Sequence, residues 1–375
     1  MNKRLLDTMI DLINNQLFDK EIENINLSES EVNELMELAS FHGISQIIYL
    51  ALRKNNLLDE KNIWQKKYYS QLVQIVQIEN EENRLFHILE KNQIDHVPLK
   101  GTLMRKLYPK SIMRSSCDID ILVHKEDVQI VIEKLKDVGY TLDGNENYHD
   151  YSLYSDNGIH LELHFNIQEM NEKLDRVLST VWDNVILKTG TKHCYLESNE
   201  YFVYHHLAHM AYHMLHGGCG IRSFIDFEII RRNITFDENK LKQFLAISEL
   251  DLFYIQINAL CDYWFNDAVP NQETIRLEEY VLNGGLYGTS ENKIKGDKKK
   301  ESNVKYYSKK IFVPYSKLVI RYPILKKWVI LYPLAIGYRI IDIVRQKGNV
   351  KRWIENDSHI QIDEEKSIFE IMGFE

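Results

Sequence analysis

The spacing of apolar residues separates helical regions of the chain from a region of strands. Residues 1–90 carry apolar side chains at helical spacing, and a long helix is predicted from about Asn62 into Glu90. From Ile94 short apolar strands alternate with helices, and helical spacing returns from Asn199. The pattern therefore predicts an α+β protein, in which a small mixed β-sheet is flanked by N-terminal and C-terminal helical domains.

Four segments follow from this pattern. We predict an N-terminal helical domain at 1–90, a sheet-bearing core at 91–190, a helical domain at 191–290, and a basic linker with a helical tail at 291–375. A chain of 375 residues is long enough for several such segments around a sizeable core.

The stretch Leu99–Val123 holds the residues with the most distinctive chemistry. A short strand is expected to end at residues 100–102, followed by a helix and a second strand that carries Asp118 and Asp120. Alternate residues of a strand face opposite sides, so the two aspartates share one face. Because neighbouring carboxylates repel each other unless a cation neutralises them, this pair indicates a divalent metal ion.

A predicted hairpin at residues 151–165, with its turn at Ser155–Gly158, supplies a third carboxylate. In its second strand His160, Glu162 and His164 share one face. If this strand lies beside the two aspartates, Glu162 completes a cluster of three acids. The two histidines are expected to line the wall of the cleft rather than to bind metal.

A predicted helix of the second helical domain carries a competing candidate site. His205, His209, His213 and His216 recur at i, i+4, i+8 and i+11, which places them on one helical face. Histidines one turn apart are common metal ligands, and a nearby acid such as Asp226 would complete a site. A structural or substrate-lining face is the favoured interpretation.

Charge is distributed unevenly along the chain. Residues 293–352 contain 17 Lys and Arg against three Asp and Glu, a net charge of +14, whereas the whole chain carries −9. We expect this basic segment to pack on the acidic remainder of the protein. The two other hypotheses are contact with a polyanion such as a nucleic acid, and contact with a membrane surface.

The composition indicates a cytoplasmic protein. The four cysteines have no paired spacing, which argues against a disulfide framework and a structural zinc site. No apolar run approaches the roughly 20 residues of a membrane span, and the acidic, amphipathic N-terminus is unlike a signal peptide.

These residues together resemble the polymerase-β-like nucleotidyltransferase superfamily. Its signature is a Gly-Ser/Thr pair, a helix, Asp-x-Asp/Glu on a strand and a third acid on a later strand. The corresponding positions here are Gly101, Thr102, Asp118, Asp120 and Glu162. More narrowly, the chain resembles the bacterial "uncharacterised nucleotidyltransferase" family in segments 99–101, 114–123, 134–140, 160–164, 206–210, 221–228 and 284–288.

The resemblance implies two Mg²⁺ ions, an NTP donor such as ATP and a hydroxyl acceptor, either a small molecule or a macromolecule. The residues that would hold the ions and carry catalysis are Asp118, Asp120 and Glu162. Those expected to contact the nucleotide are Lys100, Gly101, Thr102, Arg114, His209, Arg222 and Asp226. Two alternatives stay open: a metal-dependent hydrolase built on the histidine face, and a non-catalytic nucleotide-binding protein that keeps the fold.

Overall fold

The computed structural model describes residues 3–22, 25–58, 62–144, 148–285, 332–334 and 367–374. The basic segment 293–352 lies outside these residues, apart from 332–334. The α-helices are α1 (Lys3–Phe18), α2 (Glu29–Phe41), α3 (Ser45–Lys54), α4 (Ile63–Lys91), α5 (Lys100–Leu107), α6 (Val128–Lys136), α7 (Glu172–Leu178), α8 (Asn199–Leu215), α9 (Ile221–Asn233), α10 (Glu238–Ile247), α11 (Asp251–Phe265), α12 (Gln272–Gly284) and α13 (Ile368–Ile371). The strands are β1 (His96–Pro98), β2 (Asp118–Val123), β3 (Thr141–Asp143), β4 (Asp150–Tyr154), β5 (His160–His164), β6 (Val185–Leu187) and β7 (Tyr195–Glu197).

Five of the strands form a mixed sheet in the order β1-β2-β5-β4-β3, and β6 pairs with β7 in a small second sheet. The β2–β5 pair is parallel, and the three other pairs of the main sheet are antiparallel. In the parallel pair Asp120 lies opposite Glu162, and Asp118 lies opposite His160. The predicted α+β class, the small mixed sheet and the β4–β5 hairpin are therefore confirmed.

The sheet buries its apolar face under α4 and α6. Ile119 and Ile121 of β2 and Leu161 and Leu163 of β5 are fully buried there, together with Leu85 of α4. Because side chains alternate along a strand, the polar residues between these positions project from the opposite face. Burial of one face thus fixes which side of the sheet carries the acids.

The long predicted helix is confirmed as α4, which runs 29 residues. It begins after Asn62, whose side chain accepts a hydrogen bond from the backbone N–H of Gln65 at 2.9 Å. Such a cap satisfies one of the four N–H groups that the first helical turn leaves unpaired.

The helices before and after the sheet share one hydrophobic core. Buried apolar side chains of α1, α2, α3, α8, α9, α11 and α12 form one continuous cluster. Asn14 of α1 also donates a hydrogen bond to the backbone carbonyl of Trp264 in α11, at 2.8 Å. The predicted segments 1–90 and 191–290 are therefore joined through their cores, and the division into four domains stays a prediction.

Residues 100–102 differ from their prediction. The strand β1 ends at Pro98, and α5 begins at Lys100, so Gly101 and Thr102 lie in the first turn of a helix rather than at a strand end. The backbone N–H of Leu99 donates a hydrogen bond to the backbone carbonyl of Asp120 at 3.0 Å. This bond joins the chain to β2 immediately before α5 begins. The start of α5 is thereby held directly beside β2.

None of the helices in the described parts of the chain combines the length and the apolar character that a membrane crossing requires.

Candidate active site

A cleft of about 480 Å³ lies between the polar face of β2 and β5 and the helices α8 and α9. The start of α5 forms its third side. A larger cavity of about 670 Å³, bounded by α7, α13 and the turn between α10 and α11, contains none of the predicted site residues. The site is assigned to the smaller cleft because the predicted carboxylates and cations converge there.

The cleft brings together the three predicted acids. Ligand atoms of Asp118, His160 and Glu162 lie within 4.8 Å of one another, as do those of Asp120, Glu162 and His164. The parallel register of β2 and β5 is the cause, because it sets the acids of the two strands side by side. Either group could hold a metal ion.

The two aspartates have different electrostatic environments. Burial, and then the charges of Asp120 and Glu162, raise the pKa of Asp118. Burial also acts to raise the pKa of Asp120, but the hydrogen bond and charge of His164, with the charge of Lys100, outweigh it and lower that pKa to about 2. The cluster therefore keeps Asp120 ionised and leaves Asp118 without enough compensating positive charge.

His164 lies among the carboxylates instead of only lining the wall. Its Nε2 atom is 3.5 Å from Oδ1 of Asp120 and 3.5 Å from Oε2 of Glu162. Burial opposes the charged imidazole, but hydrogen bonds to the two carboxylates raise its pKa to about 9. The alternation along β5 predicted the correct face for His164, while its position between two acids depends on the pairing with β2.

Lys100 and Gly101 border the acidic cluster from α5. Among the described residues, no carboxylate lies within 4.0 Å of the Lys100 ammonium group. Burial lowers the pKa of Lys100 to about 8, against the opposing charges of Glu169 and Asp120. A Cβ atom on Gly101 would lie 3.7 Å from Oδ2 of Asp120, so the glycine leaves the space beside that carboxylate open.

Thr102 faces away from the cleft. Its hydroxyl donates to Oε1 of Glu82 at 2.6 Å, and the residue is 2% exposed. The guanidinium of Arg105 pairs with the same carboxylate and also donates to the hydroxyl of Ser116. The prediction that the Thr102 hydroxyl meets a phosphate is therefore wrong, since that hydroxyl belongs to a buried network between α4 and α5.

Arg114 and Asp226, predicted as separate nucleotide contacts, bind each other. Nε of Arg114 lies 2.8 Å from Oδ1 and 2.9 Å from Oδ2 of Asp226, and the Tyr108 hydroxyl donates to Oδ1 at 2.7 Å. Burial acts to raise the pKa of Asp226, but Arg114 and then His206 outweigh it and lower that pKa. Sequence reasoning missed Tyr108, which lies 118 positions from its partner.

Arg222 lies at the same end of the cleft. Its Nη1 atom is 3.5 Å from the backbone carbonyl oxygen of Ser115, just before β2. The structure thus places this predicted residue at the cleft, on the side of α9.

The histidines of α8 have separate partners rather than one shared centre. His205 contacts Glu197 at 2.7 Å, His209 contacts Glu169 at 2.8 Å, His213 contacts His209 at 3.0 Å, and His216 contacts the carbonyl of Tyr212 at 2.7 Å. Within the described residues, the groups with converging metal-ligand atoms include none of them. His209 and His213 line the cleft, as a substrate-lining face would require.

The comparison with protein families agrees with this geometry. The family model described as "Uncharacterised nucleotidyltransferase" matches residues 28–266. The chain belongs to this nucleotidyltransferase family. All the cleft residues described above fall within the matched range of the nucleotidyltransferase. No curated protein and no solved structure matches the chain.

Proposed function

We propose that this nucleotidyltransferase moves a nucleoside monophosphate from an NTP to a hydroxyl group, with two Mg²⁺ ions. The observation that carries the proposal is the convergence of Asp118, Asp120 and Glu162 on one wall of a cleft whose adjoining wall presents Lys100. The matched family supports nucleotidyl transfer in general. The identity of the metal, the number of ions and the use of an NTP are our own inferences from the residues of the cleft.

The donor set fits a hard divalent cation. Carboxylate oxygens are the ligands that Mg²⁺ prefers, and the raised pKa of Asp118, which has its origin in burial and in neighbouring acids, is typical of a site that lacks a cation. Asp118, Asp120 and Glu162 would hold the ions. When bound, two ions stabilise the attacking and the leaving oxygens of an in-line displacement.

The start of α5 would bind the triphosphate. Lys100 supplies positive charge, and the N–H groups of the first helical turn have no partner within the helix. Gly101 lets the phosphates approach the backbone beside Asp120. Arg114 instead holds Asp226 and so supports the wall of the cleft.

The acceptor would enter on the side of α8 and α9. Its hydroxyl oxygen attacks the α-phosphorus, and pyrophosphate leaves on the opposite side, toward Lys100. We expect Tyr212, His213 and Arg222 to contact the acceptor or the base, because they line the cleft across from the carboxylates.

Binding of an NTP with Mg²⁺ tests this proposal. We expect MgATP or another Mg·NTP to raise the melting temperature of the wild type, because a ligand that binds only the folded state stabilises it. Asp118→Asn and Asp120→Asn should lose this increase. Glu126→Gln, at an exposed acid outside the cleft, is the matched control and should retain it.

The variants also report on folding. Asp118→Asn removes a charge that its neighbours disfavour, so the melting temperature of the ligand-free protein should not fall.

If none of the four Mg·NTPs shifts the melting temperature, or if Asp118→Asn responds like the wild type, the proposal is wrong. Binding without any turnover of NTP in cell extract would instead favour a non-catalytic binding protein.

A further inference from the structure

Glu169, His209 and His213 form a chain of hydrogen bonds on the wall of the cleft. Nδ1 of His209 lies 2.8 Å from Oε1 of Glu169, and Nε2 of His209 lies 3.0 Å from Nε2 of His213. All three residues line the cleft that contains the carboxylates of β2 and β5. We name this set the imidazole chain.

The hydrogen bonds determine which ring nitrogens carry protons. A carboxylate only accepts, so Nδ1 of His209 must donate to Glu169. In a neutral ring, Nε2 of His209 is then unprotonated and must accept from Nε2–H of His213. Nδ1 of His213 is left with a lone pair, and among the described residues it has no hydrogen-bond partner. The imidazole chain therefore ends in a base.

The loop that carries Glu169 is fixed in place. The backbone N–H of Glu169 donates to Oδ1 of Asp175 at 2.8 Å, and the N–H of Asn171 donates to Oδ2 at 3.1 Å. Asp175 lies in α7, so both carboxylate oxygens of one helical residue hold this loop. The side chain of Glu169 is only 14% exposed, which limits the positions from which it can meet His209.

We propose that the imidazole chain is a proton relay for the acceptor hydroxyl: His213 is a catalytic residue that takes the proton, and His209 and Glu169 are positioning residues. The proposal rests on the nucleotidyl transfer proposed above and deepens it.

The acceptor O–H bond breaks, and its proton goes to Nδ1 of His213, while the oxygen electron pair forms the new bond to the α-phosphorus. The bond from that phosphorus to the bridging oxygen breaks, and pyrophosphate leaves with its electron pair. The proton on Nε2 of His213 then passes to Nε2 of His209. The positive charge comes to rest beside the carboxylate of Glu169.

The electrostatic surroundings keep both rings neutral in the ligand-free protein. Burial, and then the charge of Lys100, lower the pKa of His213 to about 4 and that of His209 well below its usual value. The other titratable groups that touch the two rings or act on their charge are Glu169 from the loop after β5, His205, His206 and Tyr212 of α8, His216 just after α8, and Arg222 of α9. A triphosphate on Lys100 would offset its charge and raise the basicity of both rings. The relay would then become effective only after the donor binds.

The protonated nitrogens can be observed directly by NMR of the full chain labelled with ¹⁵N-histidine. At pH 7 we expect neutral rings with His209 protonated at Nδ1 and His213 at Nε2. Glu169→Ala should abolish the preference of His209 for Nδ1–H. Glu172→Ala, at an exposed acid of α7, is the matched control and should leave it unchanged. His209 protonated only at Nε2 would overturn the proposal.

Transfer to hydroxyl probes of different acidity tests the catalytic role. His213→Gln is assayed with MgATP, once with glycerol as the acceptor and once with cell extract. In both assays its kcat/KM should fall by about 10²–10⁴-fold, which is the usual contribution of a general base. With 2,2,2-trifluoroethanol the loss should be at least tenfold smaller, because a more acidic hydroxyl needs less help. MgATP affinity should stay within about twofold, since Gln still donates to His209.

The outcomes separate the two proposals. His87→Ala, at an exposed histidine of α4 outside the cleft, is the control variant and should transfer like the wild type. Unchanged transfer by His213→Gln, or an equal loss with both alcohols, overturns the relay alone. If the wild type transfers a nucleotide from none of the four NTPs to any of these acceptors, nucleotidyl transfer and the relay are both overturned.

Discussion

Arg114 and Asp226 form a buried ion pair that joins the segment before β2 to helix α9. Nε of Arg114 lies 2.8 Å from one carboxylate oxygen of Asp226 and 2.9 Å from the other. The side chains are 11% and 3% exposed. Both residues line the cleft, so this contact ties the sheet side of the cleft to its helical wall.

Loss of one partner in this contact should be costly. For Asp226→Asn we expect the free energy of unfolding to fall by about 3–5 kcal/mol, because a buried guanidinium would lose its counter-charge. Urea unfolding of the two proteins measures the difference. Glu238→Gln breaks an exposed pair with Lys242 and should cost less than about 1 kcal/mol. A cost for Asp226→Asn no larger than that control would contradict the assignment.

Thr102→Val should affect stability without affecting the nucleotide. The hydroxyl donates to the buried Glu82, so its removal should lower the free energy of unfolding by about 1–3 kcal/mol. Affinity for Mg·NTP, measured by calorimetry, should stay within about twofold, and Thr102→Ser should be close to wild type in both respects. A large loss of affinity in Thr102→Val would show that the hydroxyl does reach the phosphates.

Gly101→Ala should have opposite effects on stability and on binding. Alanine is favoured over glycine inside a helix by about 1 kcal/mol, and the new Cβ would meet only ordinary contacts, so the protein should become slightly more stable. The same Cβ occupies space 3.7 Å from Oδ2 of Asp120, where we expect phosphate and metal, so Mg·NTP affinity should fall. Equal affinity in both proteins would argue against this side of α5 as the phosphate site.

The metal-free protein should show a stability that depends on the protonation of His164. Its pKa in the folded state is about 9, raised by hydrogen bonds to Asp120 and Glu162 against the effect of burial, compared with about 6.5 when unfolded. The stabilisation, on the order of 3 kcal/mol, is therefore fully present below about pH 6.5 and is lost as the pH rises through about 9.

Urea unfolding in chelator between pH 6 and 10 measures this loss, and an NMR titration of the His164 ring gives its midpoint. His164→Gln should remove this loss and leave only the opposite trend caused by Lys100, whose folded-state pKa burial lowers to about 8, so that its contribution to stability rises with pH. A His164 midpoint at or below its unfolded value would contradict the proposed charge balance of the cluster.

The sequence was sufficient for features that depend on local periodicity. Alternation along β2 and β5 predicted that Asp118, Asp120 and Glu162 share a face, and the parallel pairing confirms that the strands place them together. The helices were equally predictable, since apolar spacing and the Asn62 cap depend on residues a few positions apart.

Features that depend on distant partners were beyond sequence reasoning. The Thr102 hydroxyl is bound by Glu82, 20 positions earlier, and a Gly-Thr pair looks the same whether it faces a cleft or a helix. Four histidines at helical spacing predicted one shared face, but two of them bind different acids, Glu197 at the end of β7 and Glu169 in the loop after β5. Only the tertiary fold decides which charged residue meets which.

The central claim is transfer of the nucleotidyl group, and the fate of two labels tests it most directly. In separate reactions, the wild type is incubated with Mg²⁺, cell extract and ATP that is labelled on either the α- or the γ-phosphate. The other three NTPs, labelled in the same way, are then tested one at a time. The account predicts that the α label moves to an acceptor while the γ label is released as pyrophosphate, and that Asp118→Asn abolishes both. Transfer of the γ label to a product, or release of orthophosphate alone, would contradict it.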